Sequence, residues 1–305
     1  MTHGSSGSIS SAPAQVHLVV NTASEQARIV AAEVTQGLAH AGIPVTQEPD
    51  SAESAPVGIQ GLEGKSGSQE LSSTDLILVI GGDGTVLRAA EISRSSGAAI
   101  LGINLGHVGF LAEAEHEDIK FVLESIVAGS WHVEERTALD VAVHREGQPV
   151  IRAWALNEIS IEKQAREKMI SVLVDVDARP LSRWGCDGVI CATPTGSTAY
   201  AFSAGGPIIW PEVQALLLVP ISAHALFARP SVIAPTSVIG MNLATESPAV
   251  LWADGRRMLN LDGGTRVEVT THTQPVRFAR LVLAPFTDRL VAKFELPIDG
   301  WRGNK

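Results

Sequence analysis

Cysteine is nearly absent: Cys186 and Cys191 are the only two in 305 residues. A disulfide framework is therefore excluded, and their spacing fits no zinc pattern. None of the nine histidines forms a His-x-x-x-His pair, which leaves a histidine metal site without support. Positive charge is also short. Lysine and arginine number 23 against 33 acidic residues, for a formal net charge of −10. That balance excludes a general binder of nucleic acid or anionic membranes. A small anionic ligand stays open, because local groups set a ligand site. Long apolar runs are missing too. The longest, ALLLVPI from Ala215 to Ile221, is short and contains Pro220, so no membrane-spanning helix is expected. The opening MTHGSSGSISSAPAQ has neither the basic region nor the apolar run of a secretory signal. Residues 1–14 read as a disordered tail, and the cytoplasm is the expected location.

What is present is enough apolar residue, 45%, for a large core, in a length that suggests about two domains. Val16 to Val20 reads as a strand. Thr22 and Glu25 have capping-box spacing, and Val30, Val34 and Leu38 then recur at helical spacing. From residue 47 to 73 the composition turns to Gly, Ser, Glu and Pro, which reads as a flexible insertion. Its Gly64-Lys65-Ser66 invites a phosphate-loop reading, but the pattern needs glycine where Ile59 stands, and no apolar strand precedes it. Strand and helix alternate again from Asp75, with a strand in Ala98–Gly106 and a helix between His116 and Ala128. This predicts a parallel sheet in an α/β domain over 15–133. Short β-rich runs such as ALNEISIEK, ISVLVDVDA and TRVEVTTH follow, predicting a β-rich, sandwich-like domain over 134–283. PFTDRLVAKFELP suggests a helix within a C-terminal segment, 284–305, packing back on the first domain.

Three stretches carry chemistry. The first is DLILVIGGDGTVLRAAEI, where an apolar strand meets Gly81-Gly82-Asp83-Gly84-Thr85 and then a helix. Strand, glycine turn and helix N-terminus suit phosphate, since the first helical amides point at the anion. A carboxylate in that turn repels phosphate, so Asp83 needs a reason. It is a general base, a metal contact, or simply a turn residue or N-cap, a place where Asp is common. The second is Gly185 to Ile208, in which a strand runs into Thr193-Pro194-Thr195-Gly196-Ser197-Thr198 and a short helix is expected near Ser197. Hydroxyls and free amides converge there, suiting phosphate or ribose, although a well-capped turn explains them equally. The third is Asn157-Glu158. Neighbours on a strand face opposite ways, so the pair serves one ligand only at a strand end or bulge. There a carboxylate accepts from ribose hydroxyls.

These three motifs, in this order and at these separations, resemble the NAD kinases. The resemblance runs from about Val16 to the C-terminal helix, and GSTAYAFSAGGPIIWP is similar to the actinobacterial branch. It implies phosphoryl transfer to the 2′-hydroxyl of the adenosine ribose of NAD, giving NADP, with ATP or polyphosphate as donor and a divalent metal, Mg²⁺, as cofactor. Two domains and a homodimer or homotetramer are implied as well. By resemblance, Asp83 is the proton acceptor, flanked by Gly82 and Gly84, and Arg88 lies near the phosphates. Asn157 and Glu158 hold adenosine, and Asp187 contacts the amide end of NAD. Thr198, Ala199, Tyr200, Ala201, Phe202 and Ser203 wrap the dinucleotide. No metal ligand is identified. Two departures stand out: Ala201 replaces the asparagine common after the tyrosine, and Asp254-Gly255-Arg256 replaces Asp-Gly-Gln. Lipid kinases of the diacylglycerol or sphingosine type share the first motif only, and an NAD sensor has no need of a base at position 83.

Overall fold

A computed structural model describes residues 8–9, 11–48, 57–59, 71–105, 109–112, 114–115, 119–166, 168–244, 247–282 and 284–297. Most of the Gly- and Ser-rich stretch 47–73, with its Gly64-Lys65-Ser66, lies outside the described residues, as does most of the 1–14 tail. The chain forms two compact units. One draws its described residues from Met1–Ser51, Ser66–Glu135 and Val276–Lys305, the other from Ala52–Lys65 and Arg136–Pro275.

The first unit is built on one sheet. Its strands run Ser8–Ile9, Trp131–Arg136, Val276–Arg280, Ala99–Asn104, Leu76–Ile80, Val16–Val20, Val45–Gln47 in spatial order, with Ala114–Glu115 also paired to Ala99–Asn104. The five strands from Val276–Arg280 to Val45–Gln47 pair in parallel. Parallel strands are covered on both faces, and so LILVI at 76–80 is a continuous apolar run with every residue buried. His17 interrupts the neighbouring run, and its two ring nitrogens find Thr46 Oγ1 at 2.8 Å and Glu48 Oε2 at 3.3 Å. Helix Glu25–His40 buries Ala27, Val30, Ala31, Val34 and Leu38. The sequence points to Thr22 as its cap; the structure gives that role to Ser24, whose hydroxyl accepts from Ala27 N–H at 3.3 Å. Both fit the composition, but only Ser24 adjoins the first helical residue.

Strand Val276–Arg280 sits in this parallel sheet, so the return to the first unit begins ahead of residue 284, where the sequence places it. VRFAR reads as a strand in either setting, and nothing local says which sheet it joins. Helix Phe286–Phe294 follows in the same unit.

The second unit has two sheets of largely antiparallel strands. One runs Ile151–Ala155, Leu139–His144, Arg266–Thr271, Ile239–Leu243, Ile170–Val176, Arg179–Cys186. The other runs Ser231–Ile233, Leu216–Ile221, Gly188–Ala192, Glu158–Lys163, Ala249–Ala253, Arg257–Leu261, Val57–Gly58, the last pairing in parallel. Alternate residues of both sheets, among them Val141, Val172, Met241 and Val267 from one and Ile159, Ile161, Cys191 and Leu251 from the other, share one buried core. Each such side chain contributes about 1.5–3 kcal/mol by leaving water. This is the two-layer β architecture that alternation predicts. On the outer face of the second sheet, Ile190, Ala192, Leu217 and Val219 are covered by Ala201 and Ile209. That apolar contact docks the 193–209 segment. The neighbouring row of the same sheet, Glu158, Ser160 and Glu162, lines a pocket.

Candidate active site

In the first unit, strand Leu76–Ile80 delivers Gly81 and Gly82 to the start of helix Asp83–Ser96, with Gly82 as N-cap. Asp83 is thus the first helical residue, where the helix dipole favours a carboxylate. Its side chain is held from outside the helix. Phe110 N–H donates to one oxygen at 3.2 Å and Leu111 N–H to the other at 3.2 Å. Gly109 is what admits this approach, because a Cβ there would collide with the Asp83 carboxylate, 3.1 Å from its Cγ. The loop is fixed in turn. Arg280 Nη1 donates to Leu111 O at 3.0 Å, Arg289 Nη1 donates to Phe110 O at 3.3 Å, and the Phe110 ring packs against Phe286 and Phe294. A carboxylate accepts about four hydrogen bonds, and among the described residues each Asp83 oxygen accepts one. Gly82 and Gly84 are exposed beside it, whereas Arg88 is buried within the unit.

In the second unit, Asn157 and Glu158 lie where the chain leaves Ile151–Ala155 in one sheet and enters Glu158–Lys163 in the other. The pair sits at a strand start, the condition the sequence sets for neighbours to serve one ligand. Glu158 lines a pocket of about 330 Å³ with Ser160, Glu162, Tyr200, Trp252 and Gly255. Its Oε2 is buried without a hydrogen-bond partner among the described residues. Burial foremost, then the negative charge of Asp254, push its pKa up to about 8, against an opposing pull from the Tyr200 backbone N–H, with Glu162 adding a lesser push. Ser160 Oγ donates to Glu162 Oε1 at 2.5 Å. The Tyr200 phenol is also raised, by burial first and then by Glu162, Glu158 and Asp187, so it stays a donor.

A buried acid with a raised pKa costs stability once it ionises. Unfolded Glu158 titrates near 4.5 and folded Glu158 near 8. Folding therefore retains a proton across that window, and stability declines as pH rises through it. Glu158→Gln removes this liability. Chemical denaturation is expected to give the variant no advantage at about pH 4 and an advantage growing to at most about 5 kcal/mol above pH 8. A pH-independent difference would contradict the assignment.

The 193–203 segment is tied to the same corner. Thr193 N–H donates to Asn157 O at 2.8 Å and its hydroxyl to Leu156 O at 2.6 Å, while Gly196 N–H donates to Thr193 Oγ1 at 3.1 Å. Gly196 passes so close that a Cβ would strike the Asn157 backbone, 2.8 Å from its Cα. The helix expected near Ser197 is a 3₁₀ turn, Thr195–Thr198, followed by one α turn, Tyr200–Ser203. Thr198 and Ala199 are half-buried, and Tyr200, Phe202 and Ser203 are exposed. Ala201 is fully buried against the sheet and its carbonyl accepts from Gly206 N–H at 2.8 Å, so it anchors the segment rather than offering a free group. Asp187 forms an ion pair with Lys163.

Residues 16–131 match the ATP-NAD kinase N-terminal domain and residues 156–281 the ATP-NAD kinase C-terminal domain. The chain belongs to the NAD kinase family. "NAD kinase 2" of Streptomyces coelicolor is 51% identical over 290 residues, covering 94% of this chain and 96% of that protein. "NAD kinase" of Thermobifida fusca is 57% identical over 242 residues, covering 78% and 74%. Among solved structures, yeast NADH kinase complexed with NADH has a TM-score of 0.80 at 25% identity, covering 96% of this chain and 91% of that one. The NAD kinase from Archaeoglobus fulgidus in complex with ATP has a TM-score of 0.68 at 26% identity, covering 92% and 98%. The α/β unit followed by a β-rich unit is the plan expected of NAD kinases, and the chain is accordingly a phosphotransferase.

For this NAD kinase, Ser160, Glu162 and Trp252 are pocket residues that sequence motifs missed. The signal was available: in EISIEK, polar residues alternate with isoleucines that face the core. Asp254, seen only as part of a departing tripeptide, is buried at the same corner. The two cysteines are buried and unpaired, and burial pushes both thiols up to about 12, far from reactivity. Among the described residues no three His, Cys, Asp or Glu side chains cluster as a metal site, and no helix is long and apolar enough to cross a membrane.

Proposed function

We propose that this NAD kinase transfers the terminal phosphoryl group of ATP or polyphosphate to the 2′-hydroxyl of the adenosine ribose of NAD, with Asp83 as proton acceptor. The observation that carries the reading is the Asp83 carboxylate, fixed by two amides just after a buried strand and using half of its acceptor capacity on the described residues. The O2′–H bond breaks and its proton passes to Asp83. The oxygen forms a bond to phosphorus, and the bond to the leaving phosphate oxygen breaks with its electron pair. Asn157 and Glu158 bind adenosine, with the open Glu158 oxygen accepting from hydroxyls. Asp187 and residues 198–203 contact the rest of the dinucleotide.

Mg²⁺ needs only one or two protein carboxylates, the remainder of its shell being water and substrate phosphate. Asp83 fits that demand through the oxygen that does not take the proton, without a three-residue cluster. When bound, the ion neutralises charge on the transferred group. A homodimer or homotetramer is supported by large apolar side chains left in the open at Trp210, Val213, Leu226 and Phe227. We place the enzyme in the cytoplasm.

The test is an endpoint assay with purified protein, NAD, Mg²⁺ and either ATP or polyphosphate, reading NADP with an NADP-specific dehydrogenase. NADP is expected with at least one donor, and the two arms decide which. NAD binding without NADP from either donor replaces the reading with a sensor. Loss of both points to lipid substrates.

A further inference from the structure

The crossing between the two sheets of the second unit leaves a problem that one side chain solves. Where Ile151–Ala155 ends and Glu158–Lys163 begins, the backbone bends through Leu156 and Asn157. Three consecutive N–H groups there lose their ladder partners, and buried amides left unmade are costly. The Asp254 carboxylate takes all three. It accepts from Leu156 N–H at 3.0 Å through one oxygen, and from Asn157 N–H at 2.7 Å and Glu158 N–H at 3.4 Å through the other. The Asp254 backbone N–H donates back to Glu158 O at 2.9 Å.

Asp254 can do this because of its turn. It sits between strands Ala249–Ala253 and Arg257–Leu261 at φ +52°, followed by Gly255 at +64°, and Arg256 N–H closes the turn on Ala253 O at 3.1 Å. Asp tolerates this left-handed region better than most residues. Its charge is balanced by Arg257, whose Nη2 donates to Asp254 Oδ2 at 2.6 Å while the guanidinium lies 4.4 Å from the centre of the Trp154 ring. Both partners of the pair are almost wholly buried.

We propose that Asp254 is a positioning residue for nucleotide binding, its carboxylate setting the backbone from which Asn157 and Glu158 reach the ligand. The inference rests on the reading that those two residues contact NAD. Asp254 acts through Glu158 in a second, electrostatic way. The groups facing Glu158 are Asp254 from the hairpin, Glu162 from its own strand and Tyr200 from the covering segment, with Arg257 behind Asp254. Neutralising Asp254 removes one of the two carboxylate repulsions, which a purely structural role would not register.

The experiment is calorimetric titration of NAD into the full chain from about pH 6 to about pH 9.5, a range bracketing the Glu158 transition. In the parent, affinity is expected to rise with pH through about 8, as the Glu158 carboxylate forms. Asp254→Asn is expected to weaken binding about ten-fold at the alkaline end, a scale typical of small misplacements, and to move the transition to lower pH. Because Asp254→Asn removes the charge that pairs with buried Arg257, the double variant Asp254→Asn/Arg257→Met is measured beside it. Unchanged affinity and an unmoved transition in a folded variant overturn the proposal, as does a double variant that no longer folds, which makes Asp254 a residue of the fold. Unchanged affinity in Asn157→Ala and Glu158→Ala overturns the reading beneath it, a result distinct from failure at Asp254 alone.

Discussion

Asp83→Asn is expected to lower kcat by about 10²–10⁴-fold, the usual contribution of a general base, while the KM for NAD stays within about two-fold. The substitution is not silent in structure. Phe110 and Leu111 each donate an N–H to a different Asp83 oxygen, and asparagine turns one of those acceptors into an NH₂ donor. One amide of the loop then loses its partner, at a cost of about 1–3 kcal/mol. Steady-state kinetics must therefore be paired with a melting curve, and activity compared at a temperature where both proteins are folded. A loss of about one hundred-fold or more in folded protein supports Asp83 as proton acceptor. Near-parental kcat would falsify that role and leave Asp83 as the clasp of the 109–112 loop.

The second large effect comes from a methyl group. Gly196→Ala places a Cβ against the carbonyl oxygen and carbon of Asn157, and these are backbone atoms with no rotamer to escape into. Either the 193–198 turn lifts from the sheet or the Asn157 bend moves, and Thr193 and Asp254 both hold that bend in place. Overpacking of this kind costs about 1–3 kcal/mol or more. The KM for NAD is expected to rise at least about ten-fold, because the two elements proposed to contact the nucleotide meet at this one contact. Urea titration and NAD saturation curves check the two halves. A variant with parental stability and parental KM contradicts the packing described.

The legible part of this protein is the part written in contiguous residues. LILVI followed by two glycines gives a doubly covered strand and a helix start without help from elsewhere. Val30, Val34 and Leu38 give the buried stripe of the first long helix, and the alternation in EISIEK gives a strand with one polar face. What could not be read are partnerships across distance. The amides that hold Asp83 come from residues 110 and 111, and the carboxylate that holds Asn157 comes from residue 254. Neither partnership leaves a local trace, because a backbone N–H has no sequence identity. Ala201 is misleading for the opposite reason. It stands inside a motif rich in ligand-binding residue types, yet its side chain faces Ile190 and Leu217. Only the placement of the segment on the sheet reveals that.

The first unit's parallel sheet takes Val276–Arg280 beside Ala99–Asn104, after the whole second unit has intervened in the chain. On the ribosome this fixes an order of events. The strands through Ala99–Asn104 emerge early, and the edge beside Ile100 must wait through some 140 residues, the span Arg136–Pro275, before Val276–Arg280 fills it. Arg280 and Arg289, which grip the loop that holds Asp83, arrive only with this late segment. The second unit is continuous over the same span apart from one short earlier strand, so all of its residues have been made before Val276. The clasp around the Asp83 carboxylate therefore cannot close until the last stage of synthesis, after every residue of the second unit has been made.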